Sequence, residues 1–241
     1  FGFLGKSPLG AFKLPLWLVS GRAVLKRKLI ELAHIDVTTL PYNEAVLARI
    51  REAHKGGHNV YLASASDAGL VRAVADHLGL FDGWFASDGK INLSGTVKAA
   101  RLVEEFGEGN FDYIGNGSAD LPVWASAATA IFVGSSSSVE RRLAALDRPT
   151  ERIAAKKTTR GWFRLLRPHQ WVKNALVGVP LLTAHQFSLT SVLLTLLAAM
   201  AFSTCASSVY ILNDLIDLQA DRAHPSKRKR PFASGDVTFM T

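Results

Sequence analysis

The chain has 241 residues, 48% of them hydrophobic and 20% charged, and a mean hydropathy of +0.15. This excludes a disordered or collagen-like chain. The single cysteine, Cys205, excludes an internal disulfide framework and a multi-cysteine zinc site. Length alone allows one large domain or two small ones. The first residue is Phe1 and not Met, so the sequence reads as a piece of a longer protein.

The net charge of +8 is concentrated. Residues 1–138 are balanced, residues 139–174 carry +7 and residues 175–241 carry +1. A nucleic-acid arm and a cytoplasmic segment facing anionic lipid both have this signature. The long uncharged run beyond the basic stretch decides for the membrane, and no nucleic-acid partner is expected.

In chain order, residues 1–40 mix basic and apolar side chains and predict a small helical cap. Helices are predicted over 43–54, 68–78 and 96–106. Short apolar strands ending in small polar residues are predicted at VYLASASD (60–67), FDYIGNGSAD (111–120) and AIFVG (130–134). Alternating strands and helices predict an α/β, Rossmann-like domain over 1–145, built on a parallel sheet with helices on both faces. Ligands of such sheets sit at the carboxyl ends of the strands, where Ser64, Asn116 and Asp120 fall. Residues 146–170 read as a basic cytoplasmic linker.

Leu189 to Leu212 holds 24 residues without a charge, enough for a membrane span. A weaker span is expected over 171–187, which is short and interrupted by Pro180 and His185. No Lys or Arg lies between Ala175 and Leu212, whereas both flanks are basic. The positive-inside rule then places both flanks in the cytoplasm, and the protein in the plasma (inner) membrane as a multi-pass chain with its N-terminal domain cytoplasmic.

The sharpest feature comes directly after the second span, in NDLIDLQADRAHPSKRKRP (213–231). Asp214, Asp217 and Asp221 are spaced i, i+3, i+7, within about 60° of one helical face. Carboxylates converging without intervening cations suit a divalent cation such as Mg²⁺, which takes its remaining ligands from water and phosphate. Arg222, Lys227, Arg228 and Arg230 then stand ready for phosphate oxygens. A solvated helix end explains the basic run equally well, but it leaves the aspartate spacing unexplained.

These residues resemble the first aspartate-rich motif of the UbiA superfamily of intramembrane prenyltransferases. LRPHQWVKN (166–174) and ADRAHPSKRKRPFASG (220–235) extend the likeness over residues 160–241. The resemblance implies an all-helical bundle of which residues 171–241 are the start. It implies Mg²⁺, a polyprenyl diphosphate and transfer of the prenyl group to an acceptor. It also implies an alternative, the branch that moves phosphoribose from phosphoribosyl diphosphate onto polyprenyl phosphate. In both branches Asp214, Asp217 and Asp221 would hold the metal and the diphosphate. Asn213 would orient the site and Lys173 would reach the substrate phosphate. A second aspartate motif on a later helix, typical of the superfamily, is absent from the 241 residues, so the piece alone is expected to be inactive.

Residues 40–145 resemble the haloacid dehalogenase superfamily. Ser64 matches its second motif, Lys98 its third and GNGSAD (115–120) its acidic fourth, with Asn116 where the family has Asp. Its nucleophile motif DxDGT does not occur. The resemblance therefore implies a degenerate site of Ser64, Lys98, Asn116 and Asp120. A membrane-anchored phosphatase and a non-catalytic docking domain are the readings from other classes.

Overall fold

The computed structural model describes residues 35–88, 90–134, 136–154, 159–185 and 187–237. The expected helical cap lies almost wholly outside them. The chain divides into two compact units, one ending at Lys156 and one running from Lys157 to Phe239.

The first unit contains α1 (Glu44–Lys55), β1 (Tyr61–Asp67), α2 (Ala68–Leu78), β2 (Gly83–Ser87) and α3 (Thr96–Phe106). It continues with β3 (Tyr113–Gly115), α4 (Leu121–Ser126), β4 (Ala130–Gly134), α5 (Ser137–Ala144) and β5 (Thr150–Ala154). Helix starts follow their caps. The Asn43 side chain accepts the amides of Ala45 and Val46, and Asp67 accepts that of Gly69. Helix α2 stops at Gly79, whose φ of +61° is left-handed.

Among the described residues all strand pairs are parallel, as expected, but they form two sheets and not one. β1 pairs with β2, and β4 lies between β3 and β5. β4 is paired on both sides and is the most buried strand, hence its uninterrupted apolar sequence AIFVG. Val123, Trp124, Ala127 and Ala130 are fully enclosed around it, with Phe85 and Phe106 packed on the same core. Strands β2 and β5 and helices α4 and α5 were not expected. β5 carries Glu151 and Arg152 and falls within 146–170, the stretch that reads as linker. Its charges suit an edge strand, and that is why its composition resembles a loop.

The second unit contains α6 (Thr159–Leu166), a 3₁₀ segment (Pro168–Gly178), α7 (Val179–Thr183), α8 (Leu189–Ile216) and α9 (Leu218–Ala223). Leu165 packs with Leu215, Phe232 and Val237. Gly161 permits that approach, because a Cβ there would stand 2.8 Å from Val237. Helix α8 has 28 residues, about 42 Å at 1.5 Å per residue. It carries no charge from Leu189 to Leu212 and is largely uncovered, with Leu193, Leu197, Met200 and Phe202 exposed. Among the described residues it is the one helix long and apolar enough to cross a membrane.

The weaker expected span, 171–187, is not a continuous α-helix. The chain there is 3₁₀ up to Gly178 and then forms the five residues of α7. It runs beside α8 through polar stitches. Trp171 Nε1 donates to Ser207 Oγ at 3.1 Å, Asn174 Nδ2 to Ser203 Oγ at 2.8 Å, and Ser207 Oγ to the Leu166 carbonyl at 2.8 Å. Ser203 and Ser207 are one turn apart and both buried, so they form the small polar stripe that lets helices approach in lipid.

Candidate functional site

The aspartate motif does not form one continuous helical face. Helix α8 ends at Ile216, and α9 starts afresh after Asp217. Asp214 and Asp221 are 3% and 1% exposed, whereas Asp217 faces outward. Among the described residues no three acidic, histidine or cysteine side chains are grouped as a metal site. The premise of carboxylates without intervening cations also fails. Arg230 Nη1 donates to Asp214 Oδ1 at 3.0 Å and to Asp221 Oδ2 at 2.7 Å. Arg167 Nη2 donates to Asp214 Oδ1 at 2.7 Å. These two guanidiniums offset the buried charge that would otherwise repel.

Arg167 belongs to this charge cluster and was not among the residues expected from the sequence. Its backbone is left-handed, with φ of 49° and ψ of 55°. This is an uncommon conformation outside glycine, costing about 1–3 kcal/mol. It turns the chain between α6 and the 3₁₀ segment. The guanidinium also lies 5.0 Å from the centre of the Tyr210 ring. The signal was within the RPHQW stretch itself, but only the fold pairs residue 167 with residue 214.

Among the described residues, the buried atoms Asp221 Oδ1 and, on the next residue, Arg222 Nε have no hydrogen-bond partner. Lys227 Nζ stands 4.0 Å from the former, in ion-pair range but beyond a hydrogen bond. A buried carboxylate oxygen without a donor fits a cation, and a buried guanidinium N–H fits an anion or water. Burial lowers the pKa of Arg222. Beside the cluster lies a cavity of about 590 Å³ bordered by Arg164, Arg167, His169, Asp214, Lys229 and Arg230. Its charged lining is mostly cationic, which suits phosphate oxygens. Asn213, Lys173, Lys227 and Arg228 are exposed, and Arg222 is half-buried.

In the α/β unit, the structure brings Lys98, Asp120 and Tyr113 together. Asp120 Oδ1 accepts from Tyr113 Oη at 3.0 Å and from Lys98 Nζ at 3.3 Å. Oδ2 accepts from the backbone N–H groups of Asn116 and Gly117. Gly115 is required beneath it, since a Cβ there would meet Asp120 and Trp124 at 2.8 Å. A carboxylate has about four lone-pair sites, and all four are taken. Asn116 therefore contributes its backbone, while its side chain is exposed. The Ser64 hydroxyl accepts from the Ser66 amide, two residues away within β1.

Burial, then the Asp120 charge, pushes the Tyr113 phenol above its ordinary value. The folded state thus keeps a proton that the unfolded chain loses near pH 10. Stability is fully present below that pH and falls as pH rises through it. Tyr113→Phe should flatten this fall when urea unfolding is compared at about pH 9 and about pH 11, because groups common to both proteins cancel in the difference.

No protein-family model matches the chain, and no solved structure does. Curated relatives do. The uncharacterized protein y4nM of Sinorhizobium fredii is 38% identical over 232 residues, which is 94% of this chain and 44% of that protein. Nodulation protein NoeC of Azorhizobium caulinodans is 43% identical over 88 residues, 36% of this chain and 29% of its own length. A decaprenyl-phosphate phosphoribosyltransferase of Mycobacterium tuberculosis is 44% identical over 82 residues, 32% of this chain and 27% of that enzyme. The chain thus spans less than half the length of each of these relatives. Part of it is similar to transferases named for a polyprenyl phosphate.

Proposed function

We propose that this chain carries the diphosphate-handling part of a UbiA-type membrane transferase, and that the group moved is phosphoribose, from phosphoribosyl diphosphate onto a polyprenyl phosphate. The observation that carries the reading is the pair of buried aspartates at the end of an apolar 28-residue helix, held by Arg167 and Arg230 beside a cationic cavity. The names of the relatives favour phosphoribosyl over prenyl transfer.

The residues present fit a divalent cation at the orphaned oxygen of Asp221. Asp221 would hold Mg²⁺, Asp214 would join it once its arginines turn to phosphate oxygens, and the exposed Asp217 would reach the ion through water; when bound, the ion neutralises a departing diphosphate. Arg167 and Arg230 are among the cations that border the cavity. Each can turn its planar fork from a carboxylate to phosphate oxygens and so orient the donor. In the reaction, a phosphate oxygen of the lipid bonds to C1 of ribose while the bond from C1 to diphosphate breaks. Helix α8 keeps this chemistry at the membrane surface, where the lipid phosphate lies. The α/β unit enters this reading as a cytoplasmic docking module, since Asp120 has no lone pair left for a metal.

Membranes holding the full-length protein should convert ribose-labelled phosphoribosyl diphosphate and polyprenyl phosphate into a labelled lipid, in the presence of Mg²⁺. A labelled product only from polyprenyl diphosphate and an aromatic acid would instead establish prenyl transfer. Product from neither pair would overturn the transferase reading.

A further inference from the structure

Helix α6 has two apolar faces, and packing within its unit explains only one. Gly161 and Leu165, one turn apart, face Leu215, Phe232 and Val237. On the other side Trp162, Phe163 and Leu166 fall within about 100° of one another on the helical wheel. They remain 50%, 70% and 36% exposed. Three large apolar side chains displayed side by side on an eight-residue helix are costly in water.

The depth of this helix is set by its partners. Leu165 packs on Leu215, and Arg167, just beyond α6, bonds Asp214. Both partners lie in the turn of α8 just past the last residue of the uncharged stretch, Leu212. Helix α6 therefore stands where the apolar span meets water. Arg164 lies on the side of the helix away from Trp162 and Leu166, half exposed, tied to the Lys229 carbonyl at 3.0 Å and to Asp236 at 3.7 Å. The basic stretch 139–174 leads into and past it, and the run from Lys227 to Arg230 comes after α9. Aromatic side chains with arginines beside them are the residues of a membrane interface, and the excess positive charge complements anionic headgroups.

We propose that α6 is an interfacial helix lying in the membrane surface, with Trp162, Phe163 and Leu166 among the upper acyl chains of anionic lipid and Arg164 at headgroup level. The proposal rests on α8 crossing the bilayer, not on which group the enzyme transfers. It gives the site a floor. Phe163 and Arg164 also border the cavity beside Asp214.

The test uses the full chain with Cys205→Ser, reconstituted in nanodiscs of phosphatidylcholine and phosphatidylglycerol. A fluorophore is attached at Trp162→Cys, at Phe163→Cys or, as a depth reference, at Met200→Cys within α8. Lipids bearing a nitroxide near the headgroup end of the acyl chain should quench positions 162 and 163 several-fold more than lipids bearing it near the methyl end. Met200→Cys should show the opposite order. Iodide in the water should quench 162 and 163 weakly, and replacing phosphatidylglycerol with phosphatidylcholine should reduce their shallow quenching. Strong iodide quenching would place the face in water. No quenching by either agent would place it against protein. Either outcome at 162 and 163 overturns the proposal while leaving the span intact, and equal quenching without phosphatidylglycerol overturns the anionic assignment. If Met200→Cys is not quenched from the methyl end, the membrane reading of α8 fails, and this proposal fails with it.

Discussion

Asp217→Asn should remove transfer activity without lowering stability, whereas Asp214→Asn and Asp221→Asn should lower both. The structure separates the three. Asp217 is exposed at the junction of α8 and α9, so an isosteric amide there disturbs no packing. Asp214 and Asp221 are buried and share the Arg230 guanidinium. Neutralising either leaves partly buried positive charge less well compensated, at about 2–3 kcal/mol. If the full-length protein is the proposed transferase, each substitution should reduce turnover on the order of 100-fold or more, since each removes a charge from the set that would hold the cation and diphosphate. The losses should be non-additive, because the cluster acts as a unit. Arg230→Gln should couple to Asp221→Asn in a double-mutant cycle of melting in detergent, by roughly 1–3 kcal/mol, and should not couple to Asp217→Asn. Full Mg²⁺-dependent activity in Asp217→Asn would remove that residue from the site.

Lys98→Ala should destabilise the α/β unit by about 3–5 kcal/mol, the cost of leaving a buried carboxylate unpaired. Lys98 and Asp120 are 7% and 8% exposed, and the Lys98 ammonium bonds Tyr113 Oη as well as Asp120 Oδ1. The substitution thus strips a cation from the middle of a fold whose other core members, Trp124 and Phe132, cannot solvate Asp120. Lys98→Met combined with Asp120→Asn should recover much of the loss, because both charges leave together. Hydrogen exchange of the β3 and β4 amides in denaturant would measure this. The catalytic reading makes the opposite forecast. If Lys98 served a phosphatase, Lys98→Ala would keep the amides protected and abolish hydrolysis of p-nitrophenyl phosphate.

Periodicity and composition were enough for several parts of the fold. The helix 68–78, the helix 96–106 and the strand 130–134 could be placed because each is bounded by its own signals. Asp67 caps α2 and Gly79 ends it. Gly107 closes α3. AIFVG is an uninterrupted apolar run because β4 is enclosed on both sides. The 24 uncharged residues from Leu189 to Leu212 likewise needed no partner to be read, since their length and hydropathy alone mark the span.

What escaped was everything that depends on a distant neighbour. β2 is a five-residue GWFAS, and β5 is charged. Each is a strand only because another strand supplies its ladder partners. The division into two sheets is likewise a matter of which edges meet. Residues 171–187 were read by hydropathy, yet their 3₁₀ course goes with bonds from Trp171 and Asn174 to serines 36 and 29 residues away. The aspartate spacing marked a place of unusual charge. It said nothing of the break at Asp217, or of Arg167 and Arg230 lying against the same carboxylates. Local sequence determines local conformation and the direction of apolar faces. The compensation of buried charge is decided only when the chain folds back, because burying a carboxylate is tolerable only where a cation from elsewhere in the chain arrives with it.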